Sequence, residues 1–214
     1  MDAPRKSQLP SQSPDVRLRI ARADAIESYS GLEIALCRLF AHVLGTKVEL
    51  AGIVFFRITS ARARNSTADA LIKRKYGAKF NLFWNSIFKM IGQLDNKRNE
   101  IVHWRTNIQP NFNRAGRLTS VTAKLRPPNL WDRRRHKPSL DERDLNDFAL
   151  KCEFVDAAIW SFVQFAVSGR RGGRKQRAAW RGIFQRPLTY PPPHNHPICM
   201  RWPKRQVLLV PVRS

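Results

Sequence analysis

The chain has 214 residues, of which 43% are hydrophobic, enough for one domain with a buried core. No apolar run approaches the roughly 20 residues of a membrane-spanning helix, and the N-terminus lacks the apolar stretch of a secretory signal, so we expect a cytoplasmic protein without a membrane partner. The net charge of +23 favours contact with polyanions such as RNA, or serves only solubility and nonspecific adhesion, and says nothing about specificity or catalysis.

The first elements of the chain are a polar terminus and a long helix. Residues 1–15 are rich in Pro, Ser and Gln, and we expect them to be disordered. Apolar residues recurring at spacings of three, four and seven predict a helix over 16–44, which Gly45 would end. Thr46 and Glu49 have the spacing of a capping box and predict the start of a second helix, which runs to about residue 58.

Two further helices follow. Ser60 is a candidate N-cap for a third, unusually polar helix that reaches about residue 76. The fourth helix is predicted over 79–103 and carries a regular apolar stripe. Arg98 occupies a position in this stripe where the pattern calls for a hydrophobic residue.

Residues 105–138 interrupt the helical pattern as an irregular insert. Weak alternation predicts a short β-hairpin between 107–112 and 119–125. Ser139 and Glu142 have the spacing of a second capping box and predict the start of the last long helix. The predicted fold is therefore an all-α bundle of about five helices, covering 16–168, with a short hairpin insert.

The C-terminal tail, 169–214, has a different composition. It contains eleven Lys and Arg and no Asp or Glu, together with seven of the 14 prolines. We expect it to be disordered and not to fold alone. Basic residues with interspersed aromatic rings suit single-stranded nucleic acid, and the alternative is a solvated tail without special chemistry. The aromatic residues are Trp180, Phe184, Tyr190 and Trp202.

The segment most informative about chemistry ends the fourth helix. Asn99 and His103 are four residues apart, so they face the same way and can hydrogen bond. A half-buried arginine is costly unless it meets an anion, so Arg98 calls for a partner. Glu33 in the first helix is a candidate, either as a purely structural ion pair or as a residue that positions Arg98 while leaving part of its guanidinium for phosphate.

With Arg-Asn-x-x-x-His late in a core helix of an all-helical bundle, the chain resembles the HEPN superfamily. The resemblance covers about residues 16–168, without the insert and the tail. It implies a metal-independent endoribonuclease, often a toxin or antiviral effector, that forms a homodimer in which the motifs of two protomers meet. It also implies Arg98, Asn99 and His103 as the catalytic residues, and Glu33 as the supporting acidic residue.

The chemistry of such a site follows from its side chains, and we expect no cofactor and no metal. RNA carries its own nucleophile, the 2′-hydroxyl, which His103 could deprotonate because imidazole titrates near neutral pH. Arg98 could stabilise the charged phosphorane, and Asn99 could orient His103 or a phosphate oxygen. Five positions in a helix correspond to about 140°, which also favours a homodimer that combines groups from two copies. Candidates for contact with RNA are the basic residues Arg62, Arg64, Lys97 and Arg105.

The alternative to an enzyme is a noncatalytic basic helical module that binds RNA or a protein partner such as an antitoxin. In that case Arg98 and Glu33 would be a structural pair. His194, His196 and Cys199 resemble metal ligands but lack a fourth, so no metal site is assigned. Cys37 and Cys152 lie in apolar helical stretches and are predicted to be core thiols.

Overall fold

A computed structural model describes residues 13–128, 137–167, 174–193 and 196–198. As predicted, the fold is an all-α bundle with a short β-hairpin. Its elements are α1 (Pro14–Leu44), α2 (Val48–Arg57), α3 (Ala61–Tyr76), a 3-10 turn (Gly77–Phe80), α4 (Asn81–His103), β1 (Arg105–Phe112), β2 (Leu118–Arg126), α5 (Glu142–Val167) and α6 (Arg174–Phe184).

The described residues fall into two compact units. Unit 1 comprises those within Met1–Glu27 and Lys97–Ala149, and unit 2 those within Ser28–Asn96 and Leu150–Ser214. The helices α1, α4 and α5 each contribute residues to both units. Within the described ranges, no single helix is long and apolar enough to cross a membrane, although α1 and α2 meet that test together as a pair bent by 116°.

The ends of the first helices only partly follow the predicted signals. The amide of Thr46 donates to the carbonyl of Ala41 at 3.1 Å across Gly45, whose φ of 69° gives α1 the expected glycine stop. The Thr46–Glu49 capping box, however, was wrong. Lys47 is the N-cap of α2 and makes no side-chain cap, so Glu49 falls one position too early in the helix to reach back.

The cap of α3 is confirmed, whereas that of α5 is displaced. Ser60 accepts a hydrogen bond from the amide of Ala63 at 3.3 Å. The predicted Ser139–Glu142 box was wrong, because Leu140 is still extended and forms an antiparallel bridge. The reciprocal bonds instead join Asp141 and Asp144, at 2.9 and 3.1 Å.

Unit 1 is built around the hairpin. β1 and β2 pair antiparallel with Arg105 opposite Arg126, as the alternation in the insert predicted, with an irregularity near Phe112. Leu125 of β2 is fully buried and exchanges two backbone hydrogen bonds with Leu140, at 2.7 and 2.9 Å. The hairpin is therefore joined through Leu140 to the segment that leads into α5.

Unit 2 has an aromatic core centred on Phe162 of α5. The ring centroids of Trp84 and Phe80 lie 4.8 and 5.2 Å from that of Phe162, in edge-to-face geometry. Phe184 of α6 lies 5.2 Å from it and is fully buried. The cluster therefore joins α4, α5 and α6.

The disorder predicted for the tail was wrong for its described residues. Phe184, Leu188 and Ile198 are buried, and the amide of Leu188 donates to the hydroxyl of Ser86 at 2.8 Å. Since Phe184 is enclosed in the aromatic core, it is not available to stack on a base. The other expectations for 1–12 and 199–214, including Trp202, lie outside the described residues.

The α5 cap gives a direct test of the observed boundary. We expect Asp141→Ala to lower the free energy of unfolding by about 1 kcal/mol, because it leaves the amide of Asp144 without its acceptor. Chemical denaturation measures the loss. Ser139→Ala is the matched control and should change stability by less than about 0.5 kcal/mol; the reverse ranking would restore the box predicted from the sequence.

Candidate functional site

The end of α4 fixes the direction of His103. Ile101 is fully buried and Trp104 is 6% exposed, whereas His103 between them is exposed. Positions two apart in a helix point roughly 200° apart, so the burial of Ile101 turns the imidazole toward solvent. Arg22 donates from Nη2 to the carbonyl oxygen of Val102 at 2.8 Å, which places positive charge at the negative end of the helix dipole.

Arg98 and Asn99 lie one turn earlier in the same unit. Arg98 is half-buried, as expected for a charged residue in an apolar stripe, and Asn99 is exposed. Nη1 of Arg98 donates to Oδ1 of Asn99 at 3.3 Å. The two residues are thus in contact, and the Nε atom of the same guanidinium is buried.

Glu33 has a partner that the sequence analysis did not name. It forms an ion pair with Arg64 of α3, in which the side chains are only 22% and 14% exposed. The Arg64 guanidinium also lies over the ring of Phe55, 5.5 Å from its centroid. A carboxylate in the apolar stripe of α1 is therefore stabilised by an arginine that is in turn stacked on an aromatic ring.

The other residues predicted to contact RNA differ in their exposure and in their ion pairs. Arg62 and Arg105 are exposed. Lys97 forms an ion pair with Glu100 at 3.4 Å, and Lys137 reaches the same carboxylate at 2.7 Å. The sequence missed Lys137, because nothing in a local pattern places residues 37 positions apart together.

A second polar network in unit 2 was also missed. The carboxylate of Asp95 accepts hydrogen bonds from the hydroxyl of Tyr29 at 2.5 Å and from Nδ2 of Asn65 at 2.6 Å. These three residues come from α4, α1 and α3. The sequence did not predict this network, because Asp95 is one of several polar residues that directly precede Arg98.

The titratable groups of the core have structural roles. Nε2 of His42 lies 2.7 Å from the hydroxyl of Tyr76, and burial together with Lys75 lowers the pKa of His42, which favours the neutral ring. Cys37 and Cys152 are buried free thiols, as predicted. Burial raises the pKa of Cys152 to about 12, so this thiol remains protonated at neutral pH.

Searches against models of protein families, curated proteins and solved structures gave no match to this chain. The resemblance to the HEPN superfamily thus rests on Arg98, Asn99 and His103 within a helical bundle. Among the residues that the structure describes, no group of three or more His, Cys, Asp or Glu is placed to hold a metal ion. His194 and Cys199 lie outside those residues.

The Glu33–Arg64 pair makes a testable contribution to stability. We expect Arg64→Ala to lower the free energy of unfolding by about 1–3 kcal/mol, because Glu33 is left half-buried without its charge-assisted hydrogen bond. A double-mutant cycle with Glu33→Gln, measured by urea denaturation, should give a coupling of about 0.5–3 kcal/mol. Arg74→Ala, at an exposed position of α3, is the control; a coupling near zero would contradict the pair.

Proposed function

We propose that the protein is a metal-independent endoribonuclease of HEPN type that cleaves RNA through attack of the 2′-hydroxyl. The observation that supports this most is the end of α4, where a solvent-facing imidazole follows a half-buried guanidinium in contact with an asparagine. The net charge of +23 suits a polyanionic substrate.

The reaction needs only groups of the RNA and of this site. His103 takes the proton of the 2′-hydroxyl, and the 2′-oxygen forms a bond to the adjacent phosphorus. The bond from phosphorus to the 5′-oxygen breaks, and that oxygen leaves with the proton that His103 took from the 2′-hydroxyl, so His103 acts first as base and then as acid. The products are a 2′,3′-cyclic phosphate and a 5′-hydroxyl. Arg98 stabilises the additional negative charge on the phosphorane oxygens, with Asn99 as its neighbour.

The same proposal includes a homodimer. Arg98 and His103 are five positions apart, about 140° around a straight helix, so one copy aims them in different directions. Two copies that meet at the ends of α4 would supply the imidazole of one and the guanidinium of the other. A cytoplasmic toxin or defence effector, restrained by an antitoxin protein, is the biological role that this chemistry suits.

The test of the enzyme is the variant His103→Ala. We expect RNA cleavage to fall by a factor of about 10² to 10⁴, because the general base is removed while the phosphate-binding groups remain. Cleavage of a labelled RNA is measured on denaturing gels, and binding by fluorescence anisotropy should be nearly unchanged. EDTA should not inhibit the parent protein.

His196→Ala is the matched control, since His196 lies in unit 2 and contacts the amide of Ile198 at 3.3 Å. This variant should cleave RNA at the parent rate. Equal activity of the parent and His103→Ala would remove His103 from the reaction and with it the proposed mechanism.

A noncatalytic module that binds RNA or a protein partner is the second candidate. It is favoured by the Arg98–Asn99 hydrogen bond, which gives the guanidinium a structural use in the absence of substrate. In that case Arg98 would serve the fold rather than the transition state.

Arg98→Ala separates the two functions. For the nuclease, we expect RNA cleavage to be lost while the free energy of unfolding falls by less than about 1 kcal/mol, because Arg98 is only half-buried. A structural arginine would instead cost about 3–5 kcal/mol, as for a broken buried pair. Thermal melts with Lys89→Ala, an exposed lysine of α4, as the control make the comparison.

A further inference from the structure

The two faces of the β-hairpin differ completely in chemistry. Side chains alternate between the faces along each strand, and directly opposed residues share a face. The register therefore places eight polar residues and no apolar one on a single face, which we call the polar face. Its residues are Arg105, Asn107, Gln109, Asn111, Ser120, Thr122, Lys124 and Arg126.

The opposite face of the hairpin is the one that packs on protein. It carries the fully buried Leu125 together with Val121 and Ala123, which are half-buried. At the other end of the same face, Ile108 and Phe112 are 50% and 61% exposed. The polar face is half-buried at Asn107, Lys124 and Arg126, and its five other residues are exposed.

The charge of the hairpin has one sign. Residues 101–131 contain no Asp or Glu, whereas the polar face carries three cations, Arg105, Lys124 and Arg126. The remaining polar-face side chains are amides and hydroxyls, which donate and accept hydrogen bonds without adding negative charge. This combination suits phosphate oxygens, 2′-hydroxyl groups and base edges.

Internal hydrogen bonds hold part of this surface in place. Nη2 of Arg126 donates to Oε1 of Gln109 at 2.7 Å, and Nδ2 of Asn111 donates to the hydroxyl of Ser120 at 3.0 Å. Both bonds join opposite strands on the polar face. They restrict the side chains before any ligand arrives, which reduces the entropy lost on binding.

The hairpin is also placed next to the candidate catalytic histidine. β1 begins at Arg105, and only the buried Trp104 separates it from His103, the last residue of α4. All of these residues belong to unit 1. A strand of RNA lying along the polar face would therefore start or end at Arg105, two residues from His103.

From this arrangement we infer that the polar face of the hairpin is the binding surface for a single strand of RNA, which it leads to His103. The inference rests on the proposed function in taking RNA as the substrate. The face extends along the β1 segment from Arg105 to Asn111, which spans about 20 Å, enough for several nucleotides. Arg105, Lys124 and Arg126 bind phosphates, and the amides and hydroxyls contact sugars and base edges.

The experiment compares two double variants of the same hairpin in the full chain carrying His103→Ala, so that the probe is not cleaved. Lys124→Gln/Arg126→Gln removes two charges from the polar face. Arg114→Gln/Arg117→Gln removes two charges from the turn and is the matched control. Anisotropy with a labelled single-stranded RNA of mixed sequence is measured at several salt concentrations.

We expect the polar-face variant to bind RNA about tenfold more weakly and to lose roughly 1.4 from the slope of log affinity against log salt, since each phosphate contact contributes about 0.7 on single strands. The turn variant should change affinity by less than about threefold, because Arg114 and Arg117 lie outside the polar face. Since both variants alter the net charge equally, the difference between them reports the position of the charges. Lys124→Arg/Arg126→Lys keeps both charges and should bind as the parent does, which guards against misfolding of the first variant.

Equal weakening by the polar-face and turn variants would overturn the inference, since it would show a general effect of charge. Cleavage by the chain with His103 intact is measured separately. Cleavage of RNA without any specific effect of Lys124 and Arg126 would overturn the hairpin surface alone. Specific loss of RNA binding in a chain that cleaves no RNA would leave the hairpin surface standing and end the proposed nuclease.

Discussion

The burial of Ile101 and Trp104 on either side of His103 is the constraint on which the candidate site depends. It fixes the rotation of the helix end, so that His103 must face solvent. It also fixes the point at which the chain leaves the helix and enters β1. The bond from Arg22 to the carbonyl of Val102 stabilises the same turn. A change in this packing would move the imidazole and the hairpin together.

Several carboxylates of the described residues are engaged within the fold, and the net charge of +23 favours external anions. Glu33 pairs with Arg64, Asp95 accepts from Tyr29 and Asn65, and Glu100 serves two lysines. These contacts satisfy negative groups that would otherwise be costly at half-buried positions. The hairpin itself carries cations and neutral polar groups and no acidic residue.

Much of the fold could be predicted from periodicity, and the larger errors have non-local causes. The spacing of apolar residues predicted the boundaries of α1, α3, α4 and α5 to within a few residues. Each helix buries one face, and that face appears in the sequence as a local repeat of apolar residues. The start of α5 was misplaced because Leu140 is held extended by Leu125, fifteen positions earlier. The tail was misjudged because Phe184 is buried by rings of α4 and α5.

The sequence by itself determined the helical class, the hairpin, the basic character and the identity of the motif residues Arg98, Asn99 and His103. Only the tertiary structure decided which of them are exposed, which arginine Glu33 binds, and which strand residues share the wholly polar face of the hairpin. The physical reason is that the spacing of apolar residues depends only on which face of each helix or strand packs on the core. The choice of ion-pair partner and of solvent-facing strand depends on contacts between segments far apart in the chain.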